Sequence, residues 1–294
     1  MIKVIAADMD GTLLNPEHTM SEYTYQTILA AQRTGYRFMI ATGRDFPGAM
    51  GALADFDLTC DYITGSGAEI RSEKGEILKS VRMDSRYFKE IYQCADKFQG
   101  AVRFCAAGTD YFVGEPETVE RQVLEESRLF LGEGTDEELK SMKIYRQMVE
   151  RIRCVKNVEE IIRKEIPVHK IFIAVKDGDT AHKVREEMKK FPHLAVASSF
   201  FNNIELTDEE AQKGTAISRY AESLGYQKDE VMVLGDSLND LSMFQEGFGA
   251  TVAMENADEV IKEHAQYITK SNREDGAAYA IRLMMGGRLG ELKN

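Results

Sequence analysis

The sequence has 294 residues but no tryptophan, only five prolines and only four cysteines. The cysteines are too far apart to form a C-x-x-C pair, which excludes the usual paired-cysteine metal and redox motifs and predicts reduced thiols. The five histidines are scattered as well, and none has the spacing of a zinc site. A zinc protein and a thiol–disulfide enzyme are therefore both disfavoured.

Long apolar runs and basic runs are also missing. No stretch approaches the ~18 apolar residues that a membrane span needs, and the apolar segment 2–7 is too short for a signal-peptide core. The formal net charge of −12 would repel nucleic acids and anionic membranes, because both require a basic surface. We therefore expect a cytoplasmic protein without nucleic-acid or membrane partners. The sequence does not indicate an oligomeric state.

Strand and helix patterns alternate at both ends of the chain but not in the middle. Segments 3–8 and 37–42 are near-continuous apolar runs, typical of strands buried on both faces of a parallel sheet. The length favours two domains, at ~150 residues each. The sequence predicts an α/β fold, in which 1–83 and 205–294 form a doubly wound parallel-sheet core and 84–204 form an inserted α+β domain.

Polar residues stand where three of the predicted core strands end. They are Asp8, Thr42 and Asp236. In open α/β sheets ligands bind at the carboxyl ends of the strands, so these side chains lie where a site is expected. Asp10 lies two residues beyond Asp8 and points the same way in extended chain, so two carboxylates converge. A β-turn rich in acidic residues is the structural alternative.

A second polar cluster follows the strand that ends at Asp236. Asn239 and Asp240 precede a predicted helix, where Asn and Asp ordinarily act as N-caps, and that alternative remains open for both. Lys213 begins another predicted helix. A cation is unfavourable at the positive end of the helix dipole, so Lys213 should have an anionic partner unless it is simply a surface lysine.

The charges expected at this edge do not balance. Four aspartates bring four negative charges and two cations return two, and burying the difference is costly unless a divalent cation cancels it. All-oxygen ligands select Mg²⁺ rather than Zn²⁺, and Mg²⁺ commonly shares phosphate oxygens. The sequence therefore predicts a magnesium site that handles phosphate. The charged candidates are Asp8, Asp10, Asp236 and Asp240, with Lys213 and Arg44.

Four blocks, in this order, resemble the haloacid dehalogenase superfamily and, within it, the Cof-type phosphatases with an α/β cap. The insertion lies between the second and third blocks, where this family places its cap, and the resemblance spans nearly the whole chain. One departure is Ser66, which stands where relatives commonly carry asparagine. The blocks are Asp8–Leu14, Ala41–Arg44, Lys213–Gly214 and Gly235–Asp240.

The resemblance implies a Mg²⁺-dependent phosphatase for small phosphorylated metabolites, such as a sugar phosphate or a nucleotide-like compound. Asp8 would be the nucleophile that forms an aspartyl-phosphate. Asp10 would protonate the leaving alkoxide and then activate water, which requires a raised pKa. Magnesium would be held by Asp8, the main-chain carbonyl of Asp10 and Asp236, with Asp240 behind them. The phosphoryl oxygens would be held by Thr42, the backbone at Met9 and Gly43, Arg44, Lys213 and Asn239.

Three other functions remain to be weighed. A phosphomutase is the main alternative, because capped relatives also return phosphate to the substrate. A non-catalytic phospho-ligand sensor predicts loss of Asp8, Asp10 or Lys213, and all three are present. A phospho-acceptor signalling domain also uses a strand-end aspartate with magnesium, but it is shorter and lacks an inserted domain. Release of inorganic phosphate distinguishes the phosphatase from the mutase.

Overall fold

The computed structural model describes residues 1–131 and 134–292 and divides into two compact units. The core unit comprises Met1–Val81 and the segment from Glu210 to the end of the described chain, and the inserted unit comprises Arg82–Glu209. The predicted return to the core at residue 205 is too early, because Asn203–Asp208 form a strand of the inserted sheet. The predicted exit at residue 83 is two residues late.

Each unit is built on its own sheet, and strands and helices are numbered along the chain. In the described residues the core sheet has eight strands and the inserted sheet has six. The core strands are β1 (Val4–Ala7), β2 (Arg37–Ala41), β3 (Asp61–Thr64), β4 (Glu69–Arg71), β5 (Ile77–Ser80), β12 (Val231–Gly235), β13 (Ala250–Ala253) and β14 (Tyr267–Ile268). The inserted strands are β6 (Ala101–Ala106), β7 (Thr109–Val113), β8 (Ile152–Val155), β9 (Val168–Ala174), β10 (Leu194–Ala197) and β11 (Asn203–Asp208).

The helices follow the same division between the two units. The core helices are α1 (Glu22–Arg33), α2 (Phe46–Ala52), α9 (Lys213–Ser223), α10 (Leu241–Gln245), α11 (Glu259–His264) and α12 (Gly276–Met285). The inserted helices are α3 (Phe88–Asp96), α4 (Pro116–Leu131), α5 (Asp136–Ser141), α6 (Lys143–Arg151), α7 (Val158–Arg163) and α8 (Gly178–Met188). No helix in the described part of the chain is both long and apolar enough to cross a membrane.

The core sheet has the order β14-β13-β12-β1-β2-β3-β4-β5. Pairing is parallel from β14 to β3 and antiparallel through β4 and β5. The side chains of β1 and β12 are buried on both faces, as is usual for parallel strands covered by helices on both sides. The predicted α/β fold with a parallel core sheet is confirmed.

Register brings three strand ends to one edge of the core sheet. Ala7 pairs with Leu234 of β12 and with Ile40 of β2, and the backbone N–H of Asp8 extends the ladder by donating to the carbonyl of Leu234 at 3.0 Å. The residues that follow β1, β2 and β12 therefore emerge side by side. This edge carries the candidate site.

The inserted sheet alternates between two chemically different faces. On β6, Val102 and Phe104 enter an apolar core shared with α3, α7 and α8, whereas Arg103 and Cys105 point to the opposite face. Sequence periodicity predicts one helix over residues 136–149, but the structure has two. They break at Met142, whose ψ of 138° is extended and cannot continue a helix.

Candidate active site

Three carboxylates converge where β1 and β12 end. Asp8 directly follows β1, Asp236 directly follows β12, and Asp240 lies in the turn that leads into α10. One carboxylate oxygen from each lies within 4.8 Å of the other two. Asp8 and Asp240 are buried, and Asp236 is half-buried. We call these three residues together with Lys213 the core cluster.

Lys213 is the first residue of α9, and its side chain is completely buried. Its Nζ donates to Asp8 Oδ1 at 2.6 Å and to Asp240 Oδ1 at 2.6 Å. A third contact reaches Asn239 Oδ1 at 3.3 Å. These contacts supply the anionic partners that a lysine at the positive end of a helix dipole requires.

Asp240 is shared between this lysine and the backbone. Its Oδ2 accepts the N–H of Asp236 at 2.9 Å and the N–H of Ser237 at 3.1 Å, while its Oδ1 accepts from Lys213. Asp240 therefore holds the turn that carries Asp236. This geometry supports the position behind the metal ligands that the resemblance implies for it.

Asp236 is held by a residue that the sequence analysis did not place in the site. Thr12 Oγ1 donates to Asp236 Oδ1 at 2.7 Å. Gly11 has a φ of +82°, and a β-carbon at that position would collide with the Asp236 carboxylate. Thr12 is part of the Asp-x-Asp-Gly-Thr block, so the motif contained the signal although it did not reveal the contact.

Burial and crowding dominate the electrostatics of the cluster. Burial raises the pKa of Asp8 to about 8, against the opposing field of Lys213 and with reinforcement from Asp240. Burial and the charge of Asp8 also raise the pKa of Asp236 well above its ordinary value. Burial alone would lower the pKa of Lys213, but Asp240 and Asp8 outweigh it and raise that pKa. Lys213 is therefore a fixed positive charge.

The donor set of the core cluster fits a hard divalent cation. When ionised, the three carboxylates facing one ammonium leave two negative charges uncompensated, and their mutual repulsion is part of what raises the pKa of Asp8 and Asp236. Such a deficit is costly in a buried site and is neutralised by one Mg²⁺. Mg²⁺ prefers carboxylate and carbonyl oxygens, which this edge offers.

Asp10 lies outside this cluster and has a cationic partner of its own. Arg44 binds it through both oxygens, with Nε at 2.8 Å from Oδ2 and Nη2 at 2.6 Å from Oδ1, and His18 Nδ1 lies 3.5 Å from Oδ1. Burial would raise the pKa of Asp10, but the hydrogen bonds from Arg44 and His18 hold it below its ordinary value. This direction is opposite to the expected one, because a guanidinium rather than carboxylates surrounds Asp10.

The predicted phosphate-binding residues lie at the same edge, with one unexpected partner. Thr42 is buried, and its Oγ1 accepts the backbone N–H of Arg44 at 3.1 Å, so the hydroxyl hydrogen can be donated elsewhere. Asn239 Oδ1 accepts from Ser237 Oγ at 2.8 Å as well as from Lys213. The Arg44 side chain is bound to Asp10, and the phosphate contact predicted for it stays a prediction.

Comparisons with known proteins agree with this architecture. The family model of haloacid dehalogenase-like hydrolases matches residues 5–281. The chain is 29% identical over 281 residues to the 5-amino-6-(5-phospho-D-ribitylamino)uracil phosphatase YcsE of Bacillus subtilis, covering 96% of this chain and 95% of the relative. It is also 29% identical over 292 residues to the B. subtilis phosphatase YwtE, which has the same substrate name, covering 98% and 99%.

A solved structure extends the likeness to three dimensions. A haloacid dehalogenase-like hydrolase from B. subtilis superimposes with a TM-score of 0.83 at 26% identity, covering 96% of this chain and 99% of the other. The family match runs through both halves of the core unit, and it therefore includes every strand end that supplies the core cluster. With its acidic strand ends, its buried lysine and its inserted unit, this chain belongs to the haloacid dehalogenase-like hydrolases and is an enzyme.

Proposed function

We propose that this enzyme is a Mg²⁺-dependent phosphatase that hydrolyses small phosphorylated metabolites through an aspartyl-phosphate. The observation that carries the proposal is the core cluster, in which Asp8, Asp236 and Asp240 meet within 4.8 Å around the buried ammonium of Lys213. The phosphatase names of the two B. subtilis relatives support it. An acidic cluster that served only structure would not require such an excess of negative charge.

The proposed metal ligands are Asp8, Asp236 and the main-chain carbonyl of Asp10. When bound, the ion would neutralise charge on the phosphoryl oxygens and on the carboxylates. Thr12 fixes Asp236 from one side, and Asp240 holds the backbone N–H of Asp236 from the other. The ligand carboxylate is therefore oriented before any ion arrives.

We assign the attack on phosphorus to the Asp8 carboxylate. A new P–O bond forms to Asp8 while the bond to the leaving alkoxide breaks, and water then cleaves the acyl phosphate to release inorganic phosphate. Lys213 restrains Asp8 through Oδ1 and contributes a fixed charge that stabilises the transferring group. The Thr42 hydroxyl supplies a further donor.

Asp10 is assigned the proton transfers. It would protonate the leaving alkoxide in the first step and take a proton from water in the second. The first role requires that Asp10 leave its contact with Arg44, which holds its pKa low, when substrate binds. The two contacts from Arg44 and the approach of His18 hold its carboxylate beside the cluster rather than within it. Arg44 is thus a positioning residue for Asp10 in this arrangement, and direct phosphate binding by Arg44 stays a prediction.

A phosphate-release screen tests the proposed function. Phosphorylated metabolites, including 5-amino-6-(5-phospho-D-ribitylamino)uracil, are incubated with enzyme and Mg²⁺, and Asp8→Asn serves as the blank. We expect at least one substrate to release phosphate about 10⁴-fold or more faster with wild type, the order lost when a covalent nucleophile is removed. Circular dichroism checks that Asp8→Asn is folded.

Three outcomes of these assays contradict the proposal. Phosphate release by Asp8→Asn at a near wild-type rate would remove Asp8 as the nucleophile. An isomerised product without free phosphate would identify the enzyme as a phosphomutase instead. Full activity in excess EDTA would remove the metal from the mechanism.

A further inference from the structure

The buried ammonium of Lys213 depends on where α9 begins. A lysine side chain has four rotatable bonds. The position of its ammonium is therefore well defined only when the backbone that carries the side chain is fixed. The N-cap of α9 is Gln212, whose carbonyl accepts the first helical hydrogen bond, from Ala216 N–H at 2.9 Å. Two backbone segments approach this first turn closely, and a glycine mediates each approach.

The first approach comes from the turn 65–67. Gly65, Ser66 and Gly67 all have positive φ, and Gly67 reaches +103°. A β-carbon on Gly67 would lie 2.5 Å from the carbonyl carbon of Gln212 and 2.6 Å from its oxygen. Both distances are shorter than real β-carbons show. The colliding atoms of Gln212 are backbone atoms, so rotation of a side chain cannot relieve the collision.

The same turn is tied to the end of β2. Ser66 N–H donates to the carbonyl of Thr42 at 3.0 Å, and Gly65 N–H donates to the carbonyl of Arg44 at 2.8 Å. The turn 65–67 therefore joins the Thr42 segment to the peptide that precedes Lys213. Ser66 takes the left-handed conformation in this turn, with φ 59° and ψ 31°.

The second approach is made by the residue that follows Lys213. Gly214 N–H donates to Ser242 Oγ at 3.0 Å, and a β-carbon on Gly214 would collide with the backbone carbonyl of Ser242 in α10. The first turn of α9 is thus confined between the turn 65–67 and α10. A shift of either neighbour moves the root of the Lys213 side chain.

We propose that Gly67 and Gly214 are positioning residues that fix the first turn of α9 and so place the Lys213 ammonium on Asp8 and Asp240. The inference rests on the proposed function of Lys213 as a charge-stabilising group. A misplacement of about 1 Å can lower a rate by about 10²-fold. The cost of a methyl group at either glycine should therefore appear in kcat, with KM little changed.

The chain offers a matched control for each variant. Gly35 has a φ of +98°, but a β-carbon there would meet nothing within 4 Å. Gly35→Ala therefore shares the backbone strain of Gly67→Ala without its collision. Gly51 lies within α2 and also has open space around it, so Gly51→Ala controls for Gly214→Ala.

The test measures kcat for all four variants and for Lys213→Ala, with the best substrate from the phosphate-release screen. We expect Gly67→Ala and Gly214→Ala to lose about 10²-fold in kcat, whereas Gly35→Ala and Gly51→Ala keep wild-type values. In a double-mutant cycle, adding Gly67→Ala to Lys213→Ala should have almost no further effect, because both act through one group. Gly214→Ala provides an independent answer if Gly67→Ala does not fold.

Two results overturn the inference and are distinguishable. If Lys213→Ala is strongly impaired but Gly67→Ala and Gly214→Ala match their controls, positioning by the glycines is refuted while the proposed function stands. Fully additive losses in the double-mutant cycle would refute positioning in the same way. If Lys213→Ala itself keeps the wild-type kcat, both the inference and the role of Lys213 fail together.

Discussion

Each of the two units contains a group of carboxylates and cations, but the balance between them differs. In the core cluster three carboxylates share one ammonium. In the inserted unit three carboxylates share two cations on one face of the sheet, so ionising every group leaves one negative charge uncompensated there and two in the core cluster. We call this second group the inserted cluster. Its members are Arg103 with Glu126 and Asp110, and Lys170 with Glu205.

Sheet topology explains the difference. Parallel strands bring their carboxyl ends to one edge. Acidic side chains from distant segments therefore lie together there and outnumber the neighbouring cations. The antiparallel inserted sheet spreads its charges along β6, β7, β9 and β11, so Arg103 meets Asp110 and Lys170 meets Glu205 on a neighbouring strand. Helix α4 adds Glu126 as a second partner of Arg103. The larger excess of buried negative charge, rather than burial of charge itself, thus marks the candidate active site.

The largest expected contrast is between the two buried lysines. Lys213→Ala should lower kcat by about 10²–10³-fold, the loss seen when a group that stabilises transition-state charge is removed. Lys170→Ala leaves Glu205 without its ammonium and should destabilise the fold, but kcat at saturating substrate should stay near wild type. Steady-state kinetics beside urea unfolding would separate the two effects. A comparable fall in kcat for both variants would contradict the contrast.

A smaller effect is expected from Mg²⁺ on stability. Mg²⁺ at 100 times its Kd should stabilise wild type by about 2.7 kcal/mol through mass action, measured as a rise in Tm. Asp236→Asn should abolish this rise, since it removes one ligand and one negative charge. Glu126→Gln, in the inserted cluster, should leave the Mg²⁺-dependent rise unchanged. A rise that survives Asp236→Asn would place the metal elsewhere.

The smallest expected effect concerns pH and the inserted cluster. Burial raises the pKa of Glu126 above its ordinary value of 4.5 although Arg103 opposes the shift, and in the described residues neither Glu126 oxygen accepts a hydrogen bond. The folded state therefore binds a proton more tightly than the unfolded state does. The free energy of unfolding should fall as pH rises from about 4.5 toward the folded-state pKa. Glu126→Gln should remove this decline, and an unchanged pH profile in urea titrations would refute the shift.

Sequence patterns predicted the parts of the fold that depend on local chemistry. Apolar runs located the core strands, and the polar residues that end β1, β2 and β12 do lie at one edge. The strand Asn203–Asp208 was missed although Ile204 and Leu206 alternate with polar residues in the period-2 pattern of a strand. Its polar face is buried as well, because Lys170 on β9 and Ser199 bind Glu205. Lys170 lies 35 residues away in the chain, so the local pattern does not reveal this burial.

The sequence predicted which residues reach the site better than it predicted which of them contact one another. The residues assigned to metal and phosphate lie where expected, but the roles assigned to them stay predictions. The bidentate contact between Arg44 and Asp10 was not foreseen, because the two residues are 34 positions apart and their side chains meet only in the folded chain. Local sequence predicts which groups reach an edge, and tertiary packing decides which of them touch.

The contact between Thr12 and Asp236 joins residues 224 positions apart in the chain. Strand β1 lies between β2 and β12, so the edge of β1 that faces β12 stays unpaired until residues 231–235 have been synthesised. Strands that are distant in sequence pair slowly during folding, and an unpaired strand edge is prone to aggregation until its partner arrives. A nascent or truncated chain that ends before β12 therefore lacks Asp236 and Asp240 and cannot form the core cluster.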